Sequence, residues 1–130
     1  MKLLVCGGRD YSDRKAVFNT LYDFCDKHGL WTEPTPDGNK LPNNIHIING
    51  KAPGADALST DWAIVNWVPF TEYRADWEKH GRAAGPIRNQ QMIDEGKPDK
   101  VLAFPGGRGT ADIVARARTA GIEVIEVTGK

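Results

Sequence analysis

The sequence predicts an α/β fold: a single Rossmann-like domain of three layers, with a five-stranded, mainly parallel sheet and helices on both faces. Five short apolar segments alternate with four segments of helical periodicity along the 130 residues. Such alternation is typical of parallel sheets with right-handed helical crossovers. Glycine-rich turns follow the first, second and fourth apolar segments, as expected where a strand leads into a helix. We predict the strand order 3-2-1-4-5, in which the winding reverses between strands 1 and 4.

The first strand and helix are predicted within the first 29 residues. Residues 2–6 (KLLVC) are a short apolar run that suits a buried parallel strand. Ser12 is the predicted N-cap of the following helix and Gly29 its predicted stop; helical spacing relates its apolar residues Val17, Phe18, Leu21, Phe24 and Cys25. Residues 30–44 hold three prolines and no sustained period, so we predict a surface excursion within one domain of residues 1–130.

The second and third strands flank another predicted helix. Residues 45–49 (IHIIN) form the second strand. The helix after it carries Leu58, Trp62 and Val65 on one face. Residues 68–73 (VPFTEY) form a weaker third strand, which we place at a sheet edge because Pro69 cannot donate a ladder hydrogen bond.

Two further helices and two strands are predicted in the C-terminal third. Pro86 opens the third helix, and Gly96 and Pro98 end it. Residues 101–104 (VLAF) and 122–127 (IEVIEV) form strands 4 and 5. The last helix, between these strands, ends at Gly121 and turns three residues inward: Ile113, Val114 and Ala117.

Composition restricts the classes of partner. Lys plus Arg and Asp plus Glu number 17 each, so no global field favours nucleic acid. Neither a membrane-spanning stretch nor a secretion signal is present, and we expect a cytoplasmic protein. Cys6 and Cys25 are expected to be reduced core thiols, and without metal-ligand spacing we expect neither a metal ion nor a cofactor. A homodimer is compatible with the sequence.

The loops after strands 1 and 4 are the predicted phosphate site, because ligands of such sheets bind where the winding reverses. Glycine lets the backbone approach an oxyanion, and a helix N-terminus offers unpaired N–H groups. The first loop contributes Gly7, Gly8, Arg9 and Asp10, and the second contributes Gly106, Gly107, Arg108, Gly109 and Thr110. Thr110 either donates to the ligand or caps the helix.

Two further segments are predicted to contact the ligand. The loop after strand 2 contributes Gly50, Lys51, Gly54, Ala55 and Asp56. Asp56 either accepts from a ribose hydroxyl or stabilises the start of the helix. From the third crossover come Arg82, Arg88 and Asn89; the two arginines either bind a phosphate or lie on a solvated helix face. Neither a P-loop nor the G-x-G-x-x-G motif of dinucleotide dehydrogenases is present.

Four ordered blocks resemble the YspA-type, YpsA-related branch of the SLOG superfamily: VCGGRDY at residues 5–11, GADALS at 54–59, ADWEKHGRAAGPIRN at 75–89 and AFPGGRGTAD at 103–112. The resemblance implies a Rossmann-like fold that binds a nucleotide-derived ligand. The same superfamily includes the Lonely-guy phosphoribohydrolases, with an arginine and a P-G-G-x-G-T-x-x-E motif. Arg88 is placed like that arginine, whereas the glutamate would fall on Ile113, with Asp112 one residue earlier.

Three hypotheses follow. In the first, the chain binds or senses ADP-ribose, an NAD fragment or a nucleotide second messenger and leaves it intact. In the second, it is an N-glycoside hydrolase, with Arg88 on the phosphate and Asp112, Asp10 or Asp56 as the carboxylate. A DNA-processing role, like that of the DNA-binding SLOG relatives, is disfavoured by the balanced charge.

Overall fold

A five-stranded, all-parallel sheet forms the centre of the protein in this computed structural model, which describes residues 1–128. The strand order is β3-β2-β1-β4-β5, and all four neighbouring pairs are parallel. The strands are β1 (Lys2–Cys6), β2 (His46–Asn49), β3 (Phe70–Glu72), β4 (Lys100–Ala103) and β5 (Glu123–Glu126). The predicted strand order, the edge position of β3 and the reversal between β1 and β4 are therefore confirmed.

Helices cover both faces of the sheet. They are α1 (Arg14–His28), α2 (Ala55–Val65), α3 (Trp77–His80), α4 (Ala84–Gln91) and α5 (Arg108–Thr119). A 3-10 turn (Gly81–Ala83) joins α3 to α4, and a π-helical turn (Met92–Gly96) extends α4.

Alternate residues of β1 point into two separate cores, as the twofold period of a strand requires. Leu3 and Val5 pack with α1 and α2 residues such as Trp62, whereas Leu4 and Cys6 pack with α5 residues such as Ile113. Both cysteines are free and buried, as predicted. Among residues 1–128, every helix is too short or too polar to cross a bilayer.

Two details of the first two helices differ from the prediction. The N-cap of α1 is Asp13 and not Ser12, because the Asp13 carboxylate accepts a hydrogen bond from the Ala16 N–H at 3.0 Å. Gly29 ends α1 in the left-handed conformation, as predicted. Val65 is 55% exposed, because it is the last residue of α2 and lies beyond the helix face that packs on the core.

The third crossover is more helical than predicted. α4 begins at Ala84, and Pro86 lies within its first turn, where a missing N–H breaks no helical hydrogen bond. The single turn α3 was not predicted; the Asp76 carboxylate caps it by accepting from the Lys79 N–H at 3.1 Å. Residues 30–44 contain neither a helix nor a named strand and are tied by an antiparallel bridge between Trp31 and Pro42, consistent with the predicted excursion.

Candidate functional site

A cleft of about 1020 Å³ opens at the carboxyl end of the sheet, where the winding reverses. The loops after β1 and β4 line it together with residues from α2, the third crossover and α5. Most of the predicted site residues lie here: Gly7, Gly8, Arg9, Asp10, Asp56, Arg82, Arg88, Asn89, Gly106, Gly107, Arg108, Gly109, Thr110 and Asp112.

Four residues predicted to contact a ligand are not among those that line the cleft. Gly50 accepts a hydrogen bond from Arg88 through its carbonyl oxygen. The Lys51 ammonium pairs with Glu72 at 3.2 Å. Gly54 and Ala55 lie behind the loop after β1 and support it, as described below.

Several lining residues were not among those predicted to contact a ligand. Trp77, Gly85 and Pro86 come from the third crossover, and the others are Cys6, Tyr11, Ala52, Met92, Pro105 and Ile113. Most are apolar and belong to elements whose contacts depend on tertiary packing. Trp77 stands in a segment rich in glycine and charge, which was the only feature of the sequence that pointed to it.

Backbone contacts hold the three loops together around Gly8. Its N–H donates to the Pro105 carbonyl oxygen at 2.8 Å, and its carbonyl oxygen accepts from the Ala55 N–H at 3.3 Å. Gly54 has a φ of +83°, and a Cβ there would lie 2.7 Å from the Arg9 carbonyl oxygen. A Cβ on Gly106 would lie 2.6 Å from the Gly8 nitrogen. The close approach of these loops therefore requires glycine at positions 54 and 106.

The N-terminus of α5 faces the cleft without a side-chain cap. Gly107 is the N-cap residue, and Thr110 is the third residue of the helix and does not cap it. The first N–H groups of a helix lack intrahelical partners. A Cβ on Gly107 or Gly109 would meet no protein atom within 4 Å. Packing within the protein therefore does not require glycine at these two positions, and the backbone there is open to a ligand.

The cleft carries a small excess of positive charge although the chain as a whole is neutral. Four arginines line the cleft: Arg9, Arg82, Arg88 and Arg108. Within residues 1–128, none of these four forms an ion pair with a carboxylate. The lining carboxylates are Asp10, Asp56 and Asp112, of which Asp112 pairs with Arg116 at 2.8 Å.

Arg88 is held in place by two hydrogen bonds that leave part of its guanidinium free. Nη1 donates to the Gly50 carbonyl oxygen, and Nε donates to Asn89 Oδ1 at 2.9 Å. A Cβ on Gly50 would lie 2.7 Å from the guanidinium carbon, so Gly50 makes room for Arg88. Burial lowers the pKa of Arg88, and the charge of Asp56 opposes that shift. Nη2 has no partner among the described residues.

Asp112 is an ionised carboxylate in the cleft. Its Oδ2 accepts from Asn89 Nδ2 at 2.9 Å and from Arg116 Nε at 2.8 Å. Partial burial raises the pKa of Asp112, but the hydrogen bonds from Arg116 and Asn89 and the charges of Arg116 and Arg88 outweigh it, so the pKa lies below its ordinary value. Ile113, the next residue, is 1% exposed and belongs to the core. Both residues line the cleft, but Ile113 is a buried apolar side chain whereas Asp112 presents a charged group.

Asp56 and Asn49 fix the loop after β2. Burial raises the pKa of Asp56 to about 6, although hydrogen bonds from Ala52 and Gly50 and the nearby arginines oppose the shift. Its Oδ2 accepts from the Gly50 N–H at 2.9 Å and from the Ala52 N–H at 3.3 Å. Asn49 Oδ1 accepts from the Lys51 N–H at 2.9 Å. Asp56 thus stabilises the loop before α2 while also lining the cleft.

Comparison with known proteins gives two matches. The family model described as "YspA, cpYpsA-related SLOG family" matches residues 1–80, which include β1, β2, β3 and the loops after β1 and β2. The chain is also 34% identical over 137 residues to the Gene 61 protein of Mycobacterium phage D29, and the alignment covers 99% of this chain and 98% of that protein. The similarity to the phage protein thus extends over nearly the full length of both chains.

Proposed function

The chain belongs to the YspA and cpYpsA-related SLOG family, which suggests a nucleotide-related function, and from this premise we propose that it binds a nucleotide derivative through its phosphate. Suitable ligands are ADP-ribose, an NAD fragment or a nucleotide second messenger. In this proposal the protein acts as a binding or sensing domain and leaves the ligand intact.

The observation that carries the proposal is the open N-terminus of α5. Unpaired N–H groups and the partial positive charge of a helix N-terminus attract a phosphate. Gly107 and Gly109 leave space for its oxygens, since a Cβ at either position would meet no protein atom within 4 Å. Arg9 and Arg108 line the same cleft without an ion-pair partner within residues 1–128, so each offers a charge for the phosphate.

Three other lining residues can contact further groups of the ligand. The free Nη2 of Arg88 can donate to a second phosphate oxygen, because its other groups are fixed by the Gly50 carbonyl and Asn89. Asp56 or the free oxygen of Asp112 can accept from a ribose hydroxyl. A cleft of about 1020 Å³ lies at the upper end of the usual range for small-molecule sites, which suits a ligand larger than inorganic phosphate.

Titration calorimetry with ADP-ribose tests the proposal. Arg88→Ala should weaken binding by about tenfold to more than a hundredfold, the effect of losing a charge-assisted hydrogen bond worth about 1.5 to 3 kcal/mol. Arg118→Ala is the matched control, because Arg118 pairs with Glu126 and is not among the lining residues. Equal affinities of the two variants would contradict the proposed role of Arg88.

A second function, hydrolysis of the N-glycosidic bond of a nucleotide, is favoured by one observation. Two carboxyl groups of the cleft have pKa values displaced in opposite directions: that of Asp56 is raised to about 6, and that of Asp112 is lowered. Such a pair is typical of a general acid and an ionised carboxylate that stabilises an oxocarbenium-like transition state. One observation argues against hydrolysis. Ile113, which has no carboxylate, occupies the position of the glutamate in the Lonely-guy motif and is buried.

Chromatography of nucleotides incubated with the protein separates the two functions. Binding alone predicts that adenosine monophosphate and ADP-ribose are recovered intact. Hydrolysis predicts free base and ribose phosphate from the wild type, and their loss in Asp112→Asn. Turnover that disappears in this variant would replace the binding proposal with the hydrolase.

A further inference from the structure

We propose that Trp77 stacks on the base of the ligand, so that the cleft selects a nucleotide over a sugar phosphate. This inference rests on the proposed function, because it assigns the part of the cleft that the phosphate does not occupy. It makes Trp77 the residue that determines whether a ligand must carry a planar aromatic group.

Trp77 is held at the cleft by its local structure. It is the first residue of α3, whose N-terminus is capped by Asp76. A Cβ on Gly85 would lie 3.4 Å from Cη2 of the indole, so one edge of the ring lies close to α4 at Gly85. Both Trp77 and Gly85 line the cleft, and Pro86 lies beside them in the lining. The third crossover therefore presents the indole to the same space as the phosphate loops.

Trp77 is 52% exposed, and its indole has no aromatic or cationic partner within residues 1–128. Two other tryptophans differ: Trp31 stacks on Tyr22 at 6.0 Å between ring centroids, and Trp62 is fully buried. A half-exposed indole that is supported from one side offers apolar area and a π face at small cost in conformational entropy. Nucleobases of every type have the planar face that such a surface stacks against.

The cleft lining combines apolar and cationic groups. The third crossover contributes the apolar residues Trp77, Gly85 and Pro86 as well as Arg82 and Arg88, and the start of α5 adds the open backbone of Gly107 and Gly109. A nucleotide combines the two chemistries, an anionic phosphate and an apolar planar base. Inorganic phosphate and sugar phosphates would leave the indole exposed.

The test compares ADP-ribose with ribose 5-phosphate, which lacks the base, by titration calorimetry and competition. Trp77→Ala should weaken ADP-ribose binding by about fivefold to more than a hundredfold, the range measured for loss of one base–aromatic stack. The affinity of the Trp77→Ala variant for ribose 5-phosphate should stay at the wild-type value. Trp77→Phe, which keeps an aromatic face, should recover much of the ADP-ribose affinity.

Trp67→Ala is the matched control, because Trp67 is 85% exposed and lines a different groove, at the amino end of the sheet. It should bind both probes like the wild type. Stacking should also quench indole fluorescence when ADP-ribose binds, and this quench should persist in Trp67→Ala and disappear in Trp77→Phe.

The outcomes separate this inference from the proposed function. If Trp77→Ala lowers both affinities equally, or neither, or if Trp67→Ala has the same effect, the stacking role is wrong while nucleotide binding stands. If ADP-ribose fails to bind the wild type, the proposed function falls and this inference falls with it.

Discussion

Asp56→Asn should make folding less sensitive to pH, because it removes a buried carboxyl group whose ionisation opposes folding. Burial raises the pKa of Asp56 to about 6 in the folded protein, from an ordinary value of 3.8. Above pH 6 the folded state must hold a charged carboxylate in a buried place. Between the two pKa values the folded state binds more protons than the unfolded state, so stability from this group falls as pH rises.

The size of the effect follows from the difference between the two pKa values. At pH 8 ionisation of Asp56 lowers the free energy of unfolding by about 3 kcal/mol relative to acid pH, where the carboxyl is protonated in both states. Roughly half of this loss develops between pH 5 and pH 8. Asparagine keeps an oxygen that can accept from the Gly50 and Ala52 N–H groups and does not titrate. We therefore expect the free energy of unfolding of the variant, relative to the wild type, to rise by about 1.5 kcal/mol from pH 5 to pH 8.

Urea denaturation of both proteins at pH 5, 6, 7 and 8 measures this difference. A carboxyl NMR titration of the wild type gives the midpoint of Asp56 independently. If the two stabilities run parallel across this range, or if the variant loses stability relative to the wild type as pH rises, burial does not govern the ionisation of Asp56.

Three further substitutions have effects that follow from local geometry. Gly54→Ala should destabilise the fold by more than about 2 kcal/mol, whereas Gly38→Ala, with a similar φ of +85° but open space around its Cβ, should cost less. Asn49→Ala should cost about 1 to 3 kcal/mol in urea denaturation, because it leaves buried polar groups of the loop after β2 unpaired. Gly109→Ala should raise the free energy of unfolding by about 0.5 kcal/mol, since alanine favours the helix, and yet weaken ADP-ribose binding in calorimetry. A variant at Gly109 that binds normally would contradict the approach of a ligand to this backbone.

The strand order could be predicted because its evidence is local. Each strand is a short apolar run and each crossover has a helical period, so general rules of winding leave few topologies. The inward residues of α5 were predicted for the same reason, since Ile113, Val114 and Ala117 recur at helical spacing and are buried. Errors arose where neighbouring residues compete for one role, as when Asp13 and not Ser12 caps α1.

The arrangement of the cleft could be predicted only in part. The glycine-rich loops were evident from sequence, but the sequence did not show which glycines pack against protein and which remain open. Gly54 and Gly106 meet the backbone of the loop after β1, a contact between segments far apart in the chain, whereas Gly107 meets nothing. The one-turn helix α3 was missed because four residues are too few to show a period, and Trp77 was not assigned a place in the cleft.

A crystal structure of the protein with ADP-ribose tests the central claim most directly. We predict a phosphate within hydrogen-bonding distance of backbone N–H groups of residues 107–110 and close to residues 7–9, with the glycosidic bond intact. A phosphate bound elsewhere, with both loops empty at saturating ligand, would contradict the claim that the open N-terminus of α5 is the phosphate site.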